Sequence, residues 1–320
     1  MKLLFILDPY NSLKIAKDTS VAIMREASTR GHEIYACQQH DVFLRNQIVK
    51  ICVQGFQFAD GENWFSLTET EETSPKDFDA ILMRKDPPFD TEYLYSTFLL
   101  DLAVAQGGHV INNPTAIRGW NEKLSIAKFP QFCPEYIVTN EHQLIREFLN
   151  AQQDIIVKPL DGMGGTSVFK LTSTDPNLNV ILETITNLGQ RTIMAQQYLP
   201  AIKQGDKRII VIDGEPLNYV LARIPKAGYT RGNLAAGGTG IAQPLTDRDM
   251  EIATTIGKTL KTEGLFFVGL DVIGDYLTEI NVTSPTGMAE IATQTDCKPA
   301  QVFLNALEAK LGAKLETRAY

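Results

Sequence analysis

Short apolar runs alternate with amphipathic stretches from the first residues of this chain, and few folds accept that order. Residues 3–7 are all apolar and end at Asp8-Pro9, the length and punctuation of a buried strand. Asp18 opens a helical pattern over 18–30 that Gly31 closes, and 33–37 reads as the next strand. The order recurs downstream as a strand over 79–84, a helix over 91–106 ended by Gly107-Gly108, and a strand over 110–112. Such β-α-β units predict a parallel sheet, because parallel strands need a crossover between them. We expect this N-terminal α/β domain to occupy residues 1–118.

A chain of 320 residues has room for two or three domains. Beyond a helix starting near Pro114 the pattern changes. A strand over 136–139 leads to Asn140 and Gln143, spaced as a capping box in front of a helix. Strands over 155–158 and 167–171 flank a glycine-rich turn. A helix over 178–188 and a strand over 192–197 follow, and Leu199-Pro200 closes a unit expected over 119–200. In the last unit, 201–320, strands 208–212 and 217–223 are joined by Asp213-Gly214, a strong hairpin signal. Thr246-x-x-Asp249 opens a helix with Ile252, Ile256 and Leu260 on one stripe. A second hairpin is expected over 265–281 and a last helix over about 299–311. The expected fold class is therefore α/β, a parallel-sheet domain followed by a two-part α+β module.

Composition removes several functions. Lys and Arg number 30 against 38 Asp and Glu, so a net charge of −8 does not suit nucleic acid. No run approaches the roughly 18 apolar residues of a membrane span, and 3–7 is too short for a secretory signal. Cys37, Cys52, Cys133 and Cys297 are widely spaced. Cys37-x-x-His40 with Cys52 falls short of the four closely spaced ligands of structural zinc, so reduced thiols in a cytoplasmic protein are expected. Gly257-Lys258-Thr259 has Ile252 where a P-loop needs its first glycine. Gly162-x-Gly164 has Ser167 where a dinucleotide fingerprint needs its third. No G-x-S-x-G is present.

Two hairpins carry chemistry instead. In the first, Lys158 ends a strand and Asp161-Gly162-Met163-Gly164-Gly165 turns back into another. Backbone N–H groups without a Cβ can approach phosphate oxygens, and the lysine adds a point charge; a glycine hairpin with a solvated lysine is the plainer alternative. In the second, Asp271, Glu279 and Asn281 lie among apolar residues. A two-residue turn at Gly274-Asp275 pairs Asp271 with Thr278 and sends Glu279 to the other face. A three-residue loop pairs Asp271 with Glu279 and gathers three oxygen ligands, a set suited to Mg²⁺. Asp206, Lys207, Arg208, Arg223, Arg231 and Lys123 flank these hairpins, either as an anion site or as solvated charges. Residues 226–240, with five glycines, make a lid or a surface loop.

These residues resemble the ATP-grasp superfamily, and within it the bacterial glutathione synthetases. The resemblance rests on residues 83–90, 158–165, 221–225, 230–238 and 277–286, and it weakens after Gly287, where Met288-Ala289-Glu290 stands in place of an arginine-containing pattern. It implies a pre-ATP-grasp domain, a central lid and a C-terminal ATP-grasp domain, and an acyl-phosphate route joining γ-glutamylcysteine to glycine at the expense of ATP. It implies Mg²⁺ (two ions, replaceable by Mn²⁺) on Asp271, Glu279 and Asn281. ATP is expected on Lys123, Lys158, Gly162, Gly164, Gly165, Asp206 and the strand end Gln196-Gln197-Tyr198-Leu199. Arg208, Arg223 and Arg231 are expected to act on the reacting groups. Lys17, Asp18, Arg84, Lys85, Ser284 and Thr286 are expected to hold substrate, the first four because ligands sit beyond the carboxyl ends of strands. A homo-oligomer is also implied. A D-alanine-type dipeptide ligase, a nucleotide sensor without turnover and a kinase stopping at the phosphorylated acid remain the alternatives.

Overall fold

The computed structural model describes residues 1–61, 63–229, 231–234 and 237–318, so Thr230, Ala235 and Ala236 of the expected lid lie outside the described residues. The first unit contains β1 (Lys2–Leu7), α1 (Thr19–Thr29), β2 (Glu33–Gln38), β3 (Val42–Arg45), β4 (Ile48–Phe58), β5 (Phe65–Leu67), β6 (Glu71–Thr73), β7 (Ala80–Met83), α2 (Thr91–Ala105), β8 (Val110–Ile111) and α3 (Pro114–Gly119). The strands β2, β1, β7 and β8 pair in parallel, as their crossovers require. The sheet is mixed rather than purely parallel, because β3, β5 and β6 pair antiparallel to β4, which pairs antiparallel to β2. The reason lies in β4, where Val49, Ile51 and Val53 are buried and alternate with less buried residues, the pattern of a strand with one wet face. Asn46 and Gln47, both at positive φ, make the tight turn between β3 and β4.

The middle unit holds β9 (Tyr136–Thr139), α4 (His142–Gln152), β10 (Asp154–Pro159), β11 (Phe169–Thr172), α5 (Leu178–Ile185) and β12 (Ile193–Gln197), with strand order β11-β10-β12-β9. The expected capping box is absent: Glu141 is the N-cap of α4, and Asn140 instead donates to the Gly189 carbonyl. The last unit holds β13 (Asp206–Ile212), β14 (Glu215–Ile224), β15 (Thr239–Pro244), α6 (Asp247–Thr262), β16 (Phe267–Ile273), β17 (Tyr276–Asn281), α7 (Met288–Gln294) and α8 (Pro299–Arg318), with order β15-β14-β13-β16-β17. Sequence periodicity had not revealed β15 or α7. Glycine-rich residues lead into β15, and a helix of seven residues, about two turns, is too short to show a stripe.

Strand alternation explains how the units join. Leu4 and Ile6 point to one face of β1 and enter a core shared with Ile209, Val211, Ile252 and Ile256; Leu3, Phe5 and Leu7 point to the other and meet Ile210, Ile212 and Phe303. Each such side chain stabilises by about 1.5–3 kcal/mol when fully buried, so first and last units are welded through both faces. The middle sheet keeps a core of its own around Ile145, Ile155, Val157, Leu171 and Ile193, while Met194 on its β12 packs into the core of Leu4 and Ile6. A sheet with a separate core, set over a rigid base, can act as a movable cover.

Candidate active site

Between the middle and last sheets lies a cleft of about 470 Å³, and its walls include most of the residues singled out from sequence. From β10 and the turn after it come Lys158, Gly162, Gly164 and Gly165. The Lys158 ammonium is buried; it donates to the Thr278 carbonyl on β17 at 3.0 Å and to Gln196 Oε1 at 3.3 Å. Burial and the neighbouring Lys123 lower its pKa, against the pull of Glu279. Lys123 joins the same two elements: its Nζ donates to the Gly162 carbonyl at 2.6 Å and pairs with Glu279 Oε1 at 2.7 Å. Burial alone would lower Lys123, but Glu279 and Glu122 outweigh it and raise it.

The second hairpin forms by a route that neither turn length anticipated. Gly274 and Asp275 make a two-residue turn, pairing Ile273 with Tyr276 and Val272 with Leu277. A β-bulge then takes up Thr278, which donates its hydroxyl to the Asp271 carbonyl, so Asp271 pairs with Glu279 after all. Asn281 lies opposite Gly269, and its Nδ2 donates to that carbonyl at 3.1 Å, which leaves its Oδ1 available. Two carboxylates and an amide oxygen gathered this way fit a hard divalent cation. No group of three His, Cys, Asp or Glu side chains suited to a metal occurs among the described residues, so Cys37, His40 and Cys52 form no such site; all four cysteines are free thiols.

Arginines balance these acids. Arg208 on β13 pairs in a fork with Asp271, and Arg223 on β14 bridges Asp271 at 2.8 Å to Asp206. Burial pushes Asp271 up, but the two guanidinium groups outweigh it and hold the carboxyl well below its ordinary range. Burial lifts Asp206 to about 6 in spite of Arg223. From the glycine-rich segment 226–240, Arg231 donates to the Gly165 carbonyl at 3.0 Å, so the two glycine-rich segments meet at the cleft.

Other expected residues have different surroundings. Gln196, Gln197, Tyr198 and Leu199 line the cleft, but Gln197 and Tyr198 direct their N–H groups to the Glu135 and Asp154 carbonyls. Lys17, Ser284 and Thr286 line it as well. Asp18 lines it too, although its carboxylate caps α1 through the Ser20 and Val21 N–H groups. Arg84 and Lys85 stand outside its walls. Arg84 is buried, stacked on Phe267, and donates to Ser20 Oγ and to the Pro285 carbonyl at 2.9 Å; Lys85 pairs with Asp8 at 2.7 Å. The sequence reading missed Glu122, whose carboxylate accepts from the Val282 and Thr283 N–H groups and so shapes the loop holding Ser284. It also missed Asn233 and Glu290 in the cleft wall. No spacing rule flags them, since each reaches the cleft through a loop or a short helix.

Comparison with known proteins follows the same outline. The model of the prokaryotic glutathione synthetase N-terminal domain matches residues 1–118, and that of the prokaryotic glutathione synthetase ATP-grasp domain matches 122–296. A glutathione synthetase of Nitrosomonas europaea is 54% identical over 318 residues, covering 98% of this chain and 99% of that one. One of Shewanella oneidensis is 49% identical over 313 residues, covering 98% and 99%. Among solved structures, the D-cycloserine synthetase DcsG is similar with a TM-score of 0.68 at 14% identity, covering 97% of this chain and 99% of that one. The ATP-grasp ligase PsnB, complexed with a phosphomimetic precursor, Mg and ADP, is similar at 0.61 and 17% identity, covering 96% and 97%. At such identities these two speak for the fold alone.

Proposed function

Because this chain belongs to the prokaryotic glutathione synthetase family and is an ATP-dependent ligase that makes glutathione, we propose that its cleft works through an acyl phosphate. A carboxylate is a poor acyl donor, since its leaving group would be oxide. Transfer of the γ-phosphoryl group to the cysteine carboxylate of γ-glutamylcysteine releases ADP and leaves a phosphate as leaving group. The glycine amine then attacks the acyl carbon, and the tetrahedral intermediate expels phosphate. Positioning and charge neutralisation in a dry site are the protein's task.

Each proposed role follows from geometry. Lys158 and Lys123, reaching from the glycine turn to the β16–β17 hairpin, hold phosphate oxygens, and Gly162, Gly164 and Gly165 cover them. Gln196 Nε2 and Asp206 Oδ1, without partners among the described residues, meet the nucleotide alongside Gln197, Tyr198 and Leu199. Asp271, Glu279 and Asn281 hold Mg²⁺ (two ions, with Mn²⁺ as substitute), which when bound offsets phosphate charge. Arg208 and Arg223 face the transferring group and the substrate carboxylate, while Arg231 closes the lid against water. Lys17, Asp18, Ser284 and Thr286 contact the dipeptide. Arg84 acts at one remove, holding the 284–286 loop, and Lys85 with Asp8 frames that wall.

We further propose three domains, 1–118, 119–200 and 201–320, the middle one moving as lid. Self-association is supported by the exposed apolar face of α2, at Tyr95, Phe98 and Leu102. A cytoplasmic setting is supported by the four free thiols, and no described helix is long and apolar enough to cross a membrane. The observation that carries the mechanism is the pair of lysines joining the glycine turn to the acidic hairpin. A substrate panel tests it: γ-glutamylcysteine with glycine, other amines or none, reading ADP and amide together. Amide and ADP formed in equal amounts only with glycine support the reading. ADP accumulating without amide, or a different amine preferred, overturns it.

A further inference from the structure

Three buried polar atoms of the cleft wall have no hydrogen-bond partner among the described residues: Gln196 Nε2, Asp206 Oδ1 and Glu290 Oε2. The first two belong to the nucleotide end. Glu290 has no role in the mechanism above, and a desolvated carboxylate oxygen without a donor is costly unless a ligand supplies one. We propose that Glu290 receives the primary ammonium of a substrate amino acid, a proposal that rests on the ligase reading.

The neighbouring acids have partners. Asp271 is held by Arg208 and Arg223, Glu279 by Lys123, Glu122 by two backbone N–H groups, and Asp18 caps α1. The Glu290 carboxylate has no ion pair and accepts no hydrogen bond among the described residues, so a cation from outside is its missing complement. Its location selects a substrate over the nucleotide. Glu290 lies in the first turn of α7, directly after the loop that holds Ser284 and Thr286, and the Thr286 carbonyl accepts from Arg208 at 3.5 Å. Gln196 stands on another sheet, at the end of β12.

Both substrates bring a primary ammonium, glycine at its reacting amine and the dipeptide at its γ-glutamyl α-carbon. The start of α1 abuts α7, with the Met288 N–H directed at Thr19 Oγ1 at 3.4 Å, and Lys14 and Lys17 line the same cleft. A carboxylate and lysines in the wall of one cleft suit an amino-acid zwitterion, whose two charges need both.

Glu290→Gln keeps the shape and removes the charge. KM for the substrate whose ammonium Glu290 holds should rise about ten- to a hundredfold, with KM for ATP within about twofold of wild type. N-glutarylcysteine, the dipeptide without its α-amine, separates the sources. If the γ-glutamyl ammonium is held, wild type prefers γ-glutamylcysteine over this analogue and the variant loses that preference. If glycine is held, KM for glycine rises while the preference survives. Either outcome supports the proposal, and Glu290→Asp should restore part of the loss. Unchanged KM values for both substrates, or a parallel rise for ATP, overturn it. Wild-type protein that forms no amide from the natural pair overturns the ligase reading itself, and this proposal with it.

Discussion

Glu279 shows how much one side chain is asked to do. It pairs with Lys123, which also grips the glycine turn, and it stands opposite Asp271 on the bulged hairpin. Glu279→Gln removes the charge proposed to bind the metal and loosens that lysine while leaving the β16–β17 ladder untouched. Turnover should fall by about a hundredfold or more, a loss comparable to deleting a charge-stabilising group elsewhere. The melting temperature should fall only modestly, because Glu122 still faces Lys123 at 3.8 Å, and near-normal turnover at saturating Mg²⁺ would count against the metal assignment. Asp206 offers a pH test. Burial lifts its carboxyl from 3.8 to about 6, so the folded chain binds that proton more readily than the unfolded one. The stability tied to the proton is complete below pH 3.8 and is lost as pH rises through about 6. Asp206→Asn abolishes the titration, so its melting temperature should gain on that of wild type between pH 5 and 7. Parallel curves would show that Asp206 titrates normally.

Elements differ in how plainly their sequence announces them. The α6 start was legible, because Thr246 and Asp249 satisfy each other's backbone groups as a capping box. Thr246→Ala should cost about 1 kcal/mol in urea unfolding and leave both substrate KM values alone. Asp249→Asn should cost more, on the order of 3–5 kcal/mol, because it strands the buried Lys207 that Asp249 neutralises. The β16–β17 hairpin was half legible: its position and its facing acidic side chains followed from residue types, but the turn and the bulge compensate in a way that side-chain alternation does not encode. The lid contact was not legible at all. Gly165 has φ +78°, and a Cβ there would lie 2.5 Å from Asn233 Oδ1. Gly165→Ala should therefore push the lid loop off the glycine turn, lowering turnover severalfold or more with little change in melting temperature. Unaltered turnover would mean that the two loops need not meet.

Across the whole molecule, the first and last units share two cores, while the third, the middle sheet, keeps its own apart from Met194, which packs into one of the shared ones. Ligand that bridges the glycine turn and the acidic hairpin must then tie the third to the other two. Mg²⁺ with ATP at 100 times its Kd should add about 2.7 kcal/mol to stability, and should slow proteolysis within residues 226–240. ATP without a divalent cation should give less of both effects. Equal protection with and without the cation would argue that Asp271, Glu279 and Asn281 do not share the nucleotide with it.

Residue types and local periodicity determined by themselves that this chain is α/β, that β1, β2, β7 and β8 run parallel, and that it holds a lysine-led glycine turn and an acidic hairpin. Those are properties of neighbours along the chain, where spacing and side-chain chemistry suffice. Only the tertiary structure decided that Lys158 reaches Thr278 and that Lys123 touches both hairpins. It also decided that Arg84 became a strut and that Glu290 was left lining the cleft without a partner among the described residues. Such contacts join residues from 39 to 201 positions apart, and their distances depend on how three sheets pack, which no local pattern records.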